Sequence, residues 1–427
     1  MVLDDETGIC TCPAGTTAVE GECQSTDGGV PSDGGADFDG FTDPTDAGSD
    51  ETDLGQDAGP PCVWGGVPGD CDEPAELAAS ASHACLRTEA GRVYCWGSNA
   101  RGALGRGEAS TVPEPTPTLV AGITATRVSV GTQLSCATNA EGELWCWGDN
   151  SYGQLGPDAG DAEFLATPTR VADLVADAIA PVVGGSHVCA LLSTNELWCW
   201  GSNNGGQLGN GDQIDQTEPS WVPIRGLAGA SAGSQVTCAW TRGGRGYCWG
   251  LPAALGDGSA AGTQASRPER LGEFEDIVEI SAARLSICAR HEGGTVSCWG
   301  DNSAGQVGQD ASTSVAITPT TVPEITGATD LAGGNTHFCI LDSDSRASCW
   351  GDNQLGPLGE RPTETFLPPG NSGAGAVTSL ASKGGYTCAL RDAELPICWG
   401  YNDNGQLGRG TASFFEATPE PIVTPDS

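Results

Sequence analysis

The pattern of apolar and polar positions in this chain repeats, and it is clearest at residues 187–209, HVCALLSTNELWCWGSNNGGQLG. Two apolar runs, VCALL and LWCWG, flank the polar tetrapeptide STNE. Neither run alternates as a half-exposed strand does; both are apolar on both faces, as in a strand covered on each side. STNE predicts a tight hairpin turn, a part taken by EAG and AEG in the first two copies. The Cys-Trp-Gly core falls at Cys95, Cys146, Cys199, Cys248, Cys298, Cys349 and Cys398, at steps of 51, 53, 49, 50, 51 and 49 residues. In the first copy ELAAS, HACLRT and RVYCWG read as three strands, and a fourth follows a long loop at PTPTLVAG. That fourth strand returns as TPTRVADL, EPSWVPI, RPERLGEF, TPTTVPEI and TPEPIV, and is faint only in the sixth repeat, around Phe366. A period of about 50 residues with short strands and Gly-rich turns predicts a propeller. The expected fold is all-β: a seven-bladed β-propeller of four-stranded antiparallel blades over residues 76–427, with the final TPEPIV as the last strand of blade seven.

Ten residues before each core cysteine stands another: Cys85, Cys136, Cys189, Cys238, Cys288, Cys339 and Cys388. Folding about the hairpin turn sets the two members of each pair directly opposite one another. Opposed Cβ atoms on antiparallel strands lie about 4.5–5.5 Å apart, close to what a disulfide needs. Seven cross-strand disulfides are therefore expected, with packed buried thiols as the alternative. Two cysteines per blade without further ligands cannot complete a zinc tetrahedron, so no metal is expected there.

The Trp after each core cysteine (Trp96, Trp147, Trp200, Trp249, Trp299, Trp350, Trp399) points to the other face and is expected to fill the gap between blades. The Gly-x-Leu-Gly turn, for instance Gly206–Gly209, suits positive φ and close backbone packing. It is not a phosphate loop, because no Lys-Ser/Thr follows. His83, His187 and His337 stand two residues before the first cysteine of their repeats, where the others have Leu134, Val236, Ser286 and Tyr386. A position filled by His in three of seven repeats fits structural hydrogen bonding better than a shared metal or acid–base site.

Before the repeats, residues 1–23 form a short Cys-rich stub with Cys10, Cys12 and Cys23, similar to one end of an epidermal-growth-factor-like module. Residues 24–61 are a low-complexity run of Asp, Gly, Ser, Thr and Pro, expected to be a disordered, self-repelling tether. Its single Asp-x-Asp-Gly, at Asp37, Asp39 and Gly40, lacks the rest of an EF-hand loop. Residues 62–75 lead in through CVWGGVPGDC, in which Cys62 and Cys71 are candidates for a further small disulfide loop or a worn fragment of the repeat.

Charge narrows the partners. The formal net charge is -38, and residues 1–60 alone hold 15 Asp/Glu with no Lys or Arg. The rest is also acidic and has no basic stripe, so nucleic-acid binding is not expected. No apolar run approaches the roughly 20 residues of a membrane span. The start MVLDDETGICTC has no signal-peptide pattern, while 19 cysteines fit an oxidising compartment better than a reducing one. No Gly-x-Ser-x-Gly, His-Glu-x-x-His or Walker-type loop occurs, so no catalytic residues and no cofactor are assigned.

The phrase HVCALLSTNELWCWGSNNGGQLG resembles the repeat of the regulator of chromosome condensation family, and the likeness covers nearly all of residues 76–425. The resemblance implies a seven-bladed propeller with four-stranded blades. Its nuclear member is a guanine nucleotide exchange factor that acts through acidic and histidine residues on one face; bacterial relatives include an inhibitor of β-lactamase. Neither site can be placed on this phrase, and an acidic tail stands where the nuclear member has a basic one. The cysteine pairs, Asp-Gly tether and Cys-rich stub look like an exported bacterial protein, extracellular or in the cell envelope. The expected function is a non-enzymatic, monomeric scaffold whose loops bind a protein or a surface polymer, on a face the sequence leaves unknown. The other two classes are an exchange factor for a small GTPase and an enzyme acting on surface glycans or peptides. Repeat four departs most, with LPAALGDG after Trp249-Gly250, and repeat six reads as a shortened loop, DNQLGPLG; irregular loops are where a binding face would be specialised.

Overall fold

A computed structural model describes residues 72–425, apart from 173, 252–254, 310–312 and 362–365, together with Trp64 and the backbone of short strands before residue 72. Residues 1–57 form one unit, in which Val2–Leu3 pairs with Cys10–Thr11 and Thr16–Val19 with Glu22–Ser25. The Asp/Gly tether, Cys12 and Cys62 lie outside the described residues, as do the side chains of Cys10, Cys23 and Cys71, so the stub cysteines and the candidate pair Cys62 and Cys71 are not placed. Residues 58–427 form the second unit, the propeller.

Its seven sheets each contain four antiparallel strands, adjacent in sequence order. Blade one is built from Pro74–Ala79, His83–Thr88, Val93–Asn99 and Ser110–Leu119. Blade three is built from Ala178–Val183, His187–Leu192, Leu197–Gly201 and Gln216–Trp221. In every blade the second strand is almost wholly buried, as its two apolar faces require, while the fourth is largely exposed. The faint fourth strand of blade six is Leu367–Ala376, starting one residue after Phe366. Its Pro-Pro-Gly-Asn-Ser-Gly sequence hides it because an outer edge strand has only one neighbour to satisfy. Blade seven runs Ser379–Lys383, Tyr386–Arg391, Glu394–Tyr401 and Phe415–Pro421, so no strand is exchanged where the ring closes.

Closure rests on side chains. The Trp96 indole N–H donates to the Gln406 carbonyl at 2.9 Å and the Tyr386 hydroxyl to the His83 carbonyl at 2.9 Å. Trp64, ahead of the first strand, is buried in this seam with its ring edge-on to Tyr94 at 5.5 Å.

The innermost strands line a central channel and present free backbone edges to it, which must find partners. Side chains from the preceding blade supply some. The Glu76 carboxylate accepts Val128 N–H (3.1 Å), Ser231 Oγ accepts Ala282 N–H (3.0 Å), and the Asp330 carboxylate accepts Leu380 N–H (2.8 Å). A second orphan arises where the outer strand slips register beside each core cysteine. There Ser220, Arg361 and Arg409 donate to the carbonyls of Cys199, Cys349 and Cys398.

Candidate binding face at the channel mouth

The predicted residues form a rigid interior layer first. Each cysteine pair stands in direct register, from Cys85 opposite Cys95 to Cys388 opposite Cys398. The sulfurs of all seven pairs are bridged across Cα separations of 4.0–4.1 Å. All seven repeat tryptophans are fully buried between blades. Six of them donate Nε1–H to a carbonyl of the preceding blade: Gln406, Ala103, Gln154, Gln207, Gln306 and Pro357. The residue equivalent for Trp299 is 254, outside the described residues. Gly209, at φ 70°, is required beside this bond, since a Cβ there would sit 2.5 Å from the Trp249 nitrogen.

The Asn of the Gly-x-Asn phrase pins the loop between third and fourth strands. Its Oδ1 accepts the N–H of the residue five positions on, as Asn203 does from Leu208 at 3.0 Å and Asn402 from Leu407 at 3.0 Å. Blade six keeps this bond, Asn353 to Leu358 at 2.9 Å, and Pro357 receives the Trp399 N–H. Its loop is therefore not shortened, contrary to the expectation: DNQLGPLG has the same span as SNNGGQLG, with Leu355 in place of a glycine and Pro357 in place of a glutamine. Blade four does depart, with Pro252 where the Asn would be.

The three aligned histidines are fully buried and bridge adjacent blades. Nε2 of His83, His187 and His337 lies 2.9 Å from the hydroxyls of Ser135, Thr237 and Thr387. Each hydroxyl gives its own proton to a loop carbonyl, of Ala103, Gln207 and Pro357 respectively, so the imidazole Nε2–H is the donor. Burial pushes all three imidazoles down to about 3, helped for His83 and His187 by the nearby Lys383 ammonium. The hydroxyl partners were not picked out from the sequence. They are legible there, because Ser or Thr precedes the first cysteine only in the repeat that follows a histidine repeat. The fourth histidine, His291, is also buried, between Asp276 and Ser297. No histidine of this chain reaches an exposed face.

These imidazoles titrate at about 6.5 when unfolded and about 3 when folded. The unfolded chain therefore takes up protons that the folded one refuses, and stability present above pH 6.5 is lost as pH falls toward 3. Glu279, raised to about 7 by burial and then by Asp330, acts oppositely between its usual range and pH 7. The net effect near pH 5.5 is an uptake of about two protons on unfolding. Urea midpoints should fall between pH 6.5 and 5, and the slope should flatten or reverse when all three histidines are replaced by Gln. An unchanged slope in that variant contradicts the assignment.

Above this layer, the turns between first and second strands encircle one end of the channel. Each is tied to the outer loop of its own blade, for example Ser202 N–H to Ser186 O and Tyr401 N–H to Gly385 O. The two sets of loops thus share one face. Exposed rings stand on it: Phe414, 66% exposed, packs edge-on against Tyr401 and Phe415 in blade seven, and Tyr152 projects from blade two.

At its centre lies a depression of about 200 Å³ whose floor is Lys383. This is the only lysine of the chain. From the end of the inner strand of blade seven it crosses the channel and donates to the carbonyls of Val183 (2.9 Å) and Ala232 (3.2 Å), which end the inner strands of blades three and four. Below it the channel continues as a cavity of about 370 Å³ lined by Ser129, Ser231, Glu279 and Ser281. The lysine divides the channel in two. Among the described residues no group of three or more His, Cys, Asp or Glu is arranged to hold a metal ion, and no helix is long and apolar enough to cross a membrane.

Ring, register and interior define a disulfide-bridged seven-bladed propeller with a plugged channel. The ring carries regulator of chromosome condensation (RCC1) repeats: models of that repeat match residues 90–138 and 141–191, and 75–103, 125–154, 182–207 and 328–356. It is 28% identical over 277 residues to the human E3 ubiquitin-protein ligase HERC2, covering 62% of this chain but 6% of that protein. It is 29% identical over 303 residues to the ultraviolet-B receptor UVR8 of Arabidopsis thaliana, covering 66% of each. Among solved structures, Prp20p from Saccharomyces cerevisiae is similar with a TM-score of 0.69 at 20% identity, over 86% of this chain and 88% of that one. Human WBSCR16 is similar with a TM-score of 0.68 at 19% identity, over 75% and 88%. At such identities the structural likeness speaks for the fold alone.

Proposed function

We propose that this propeller is a non-catalytic binding scaffold working in an oxidising compartment, at the cell surface or in the envelope, and that the mouth face receives a partner polypeptide. One observation carries this reading. The face that gathers the turn ring and the exposed rings of Tyr152 and Phe414 stands on an interior repeated almost identically seven times. Variation concentrated on one rigid face is the arrangement of a recognition surface. The seven cross-strand cysteine pairs support the compartment, because bridges of this number persist where thiols are not kept reduced.

A count of free thiols tests it, on protein purified from its native host and alkylated before reduction. The expected result is that Cys85/Cys95 and the six equivalent pairs are blocked, after which partners should be sought in envelope and culture-medium fractions. If most of these thiols are free, the compartment is wrong and small GTPases become the first partners to test.

A further inference from the structure

We propose that the channel mouth is a receptor for a single carboxylate presented by a partner polypeptide. This deepens the scaffold reading above and rests on it for the nature of the partner.

The argument begins with charge. The chain has 56 Asp and Glu against 18 Lys and Arg, yet the mouth depression is lined by two cations, Lys383 and Arg284, and by no carboxylate. Arg284 is exposed and, among the described residues, has no ion pair or hydrogen bond, whereas most arginines here hold a carboxylate, as Arg87 holds Glu76 and Arg290 holds Glu279. An ammonium has three N–H donors, and Lys383 spends two on Val183 and Ala232. The third is left for a ligand. Thr132, Ser234 and Asn335 complete the rim with neutral donors.

Size then decides the class of ligand. Pockets for metabolites run to roughly 300–1,000 Å³, and about 30 Å³ is one water's share of liquid. At about 200 Å³ this depression is too small for a nucleotide or a sugar chain and suits one acidic side chain or one chain terminus. It is also preformed. Neighbouring turns are locked to each other, Gly185 N–H to Gly233 O at 3.0 Å and Asn335 N–H to Gly384 O at 2.6 Å. A carboxylate entering here meets a fixed, partly desolvated ammonium and an exposed guanidinium at the rim, the pairing that makes charge-assisted hydrogen bonds strong.

Because the chain has one lysine, protein made with ¹³Cε-lysine gives a single side-chain signal, from Lys383 itself. The full chain is titrated with three hexapeptides: one with an internal Glu and an amidated end, one with a free C-terminal carboxylate and no acidic side chain, and one with Gln and an amidated end. The expected result is that a carboxylate peptide shifts the signal with saturation in the millimolar range or tighter, and that the Gln peptide does not. Whichever carboxylate peptide acts tells side chain from terminus. Arg284→Gln, at an exposed position away from the folded core, should weaken binding about tenfold while leaving the lysine signal in place. No shift with either carboxylate peptide, or an equal shift with the Gln peptide, overturns the proposal. The thiol count is untouched by that outcome, so failure of the mouth site and failure of the scaffold reading are separable.

Discussion

Trp200→Ala should destabilise the propeller by about 3–5 kcal/mol, the range for truncating a large buried aromatic side chain. Trp200 is fully buried against Leu134, Leu155, Val171 and Val188 of the blade two–three interface, and its indole N–H holds the Gln154 carbonyl at 2.9 Å. The substitution leaves a cavity between two stiff sheets that cannot collapse, and it strands a buried acceptor. Trp200→Phe should lose markedly less, since it keeps most of the packing and gives up only the hydrogen bond. The check is urea unfolding of both variants beside the parent. An alanine loss under 1 kcal/mol would show that the interblade tryptophans are not the mortar of this ring.

Opening the Cys189–Cys199 bridge should cost about 2–3 kcal/mol, from the freedom returned to an unfolded chain cross-linked across 10 residues. The clean comparison is a double variant, Cys189→Ala with Cys199→Ala, measured against the parent both oxidised and reduced. The bridge contribution is the part of the loss that reduction of the parent reproduces per pair; the remainder is lost packing. Both sulfurs are fully buried, so reduction under native conditions should be slow and should speed up sharply as urea approaches the midpoint. If reduction leaves the midpoint unmoved, the pairs act as packed thiols and the oxidising compartment loses its support.

Most of the fold was legible because it depends on local spacing. The turn between Cys189 and Cys199 fixes their register, and that register with an apolar strand on each side is enough to predict a blade. The interblade histidine bonds were legible only by reading diagonally: the partner of His187 is Thr237, one repeat on, so no single copy of the phrase contains the pair. The loop of blade six misled because Leu355 and Pro357 replace small or polar residues without changing its length, and the Asn353 bond that fixes its path survives such replacement. The channel mouth was not legible at all. Lys383 meets Val183 and Ala232, 200 and 151 residues away, and it meets their carbonyls, which every residue has. A contact made across a ring to backbone leaves no pattern in either partner's sequence.

The ring's closure has a genetic consequence. Each sheet is made from four strands consecutive in the chain, and the seam between blades seven and one uses the same Trp-to-carbonyl bond as the other interfaces, Trp96 to Gln406 as Trp200 to Gln154. No blade is privileged as first or last. A gene cut between two repeats and rejoined in rotated order would encode the same seven sheets, so a lineage of such proteins can circularly permute whole blades without rebuilding one.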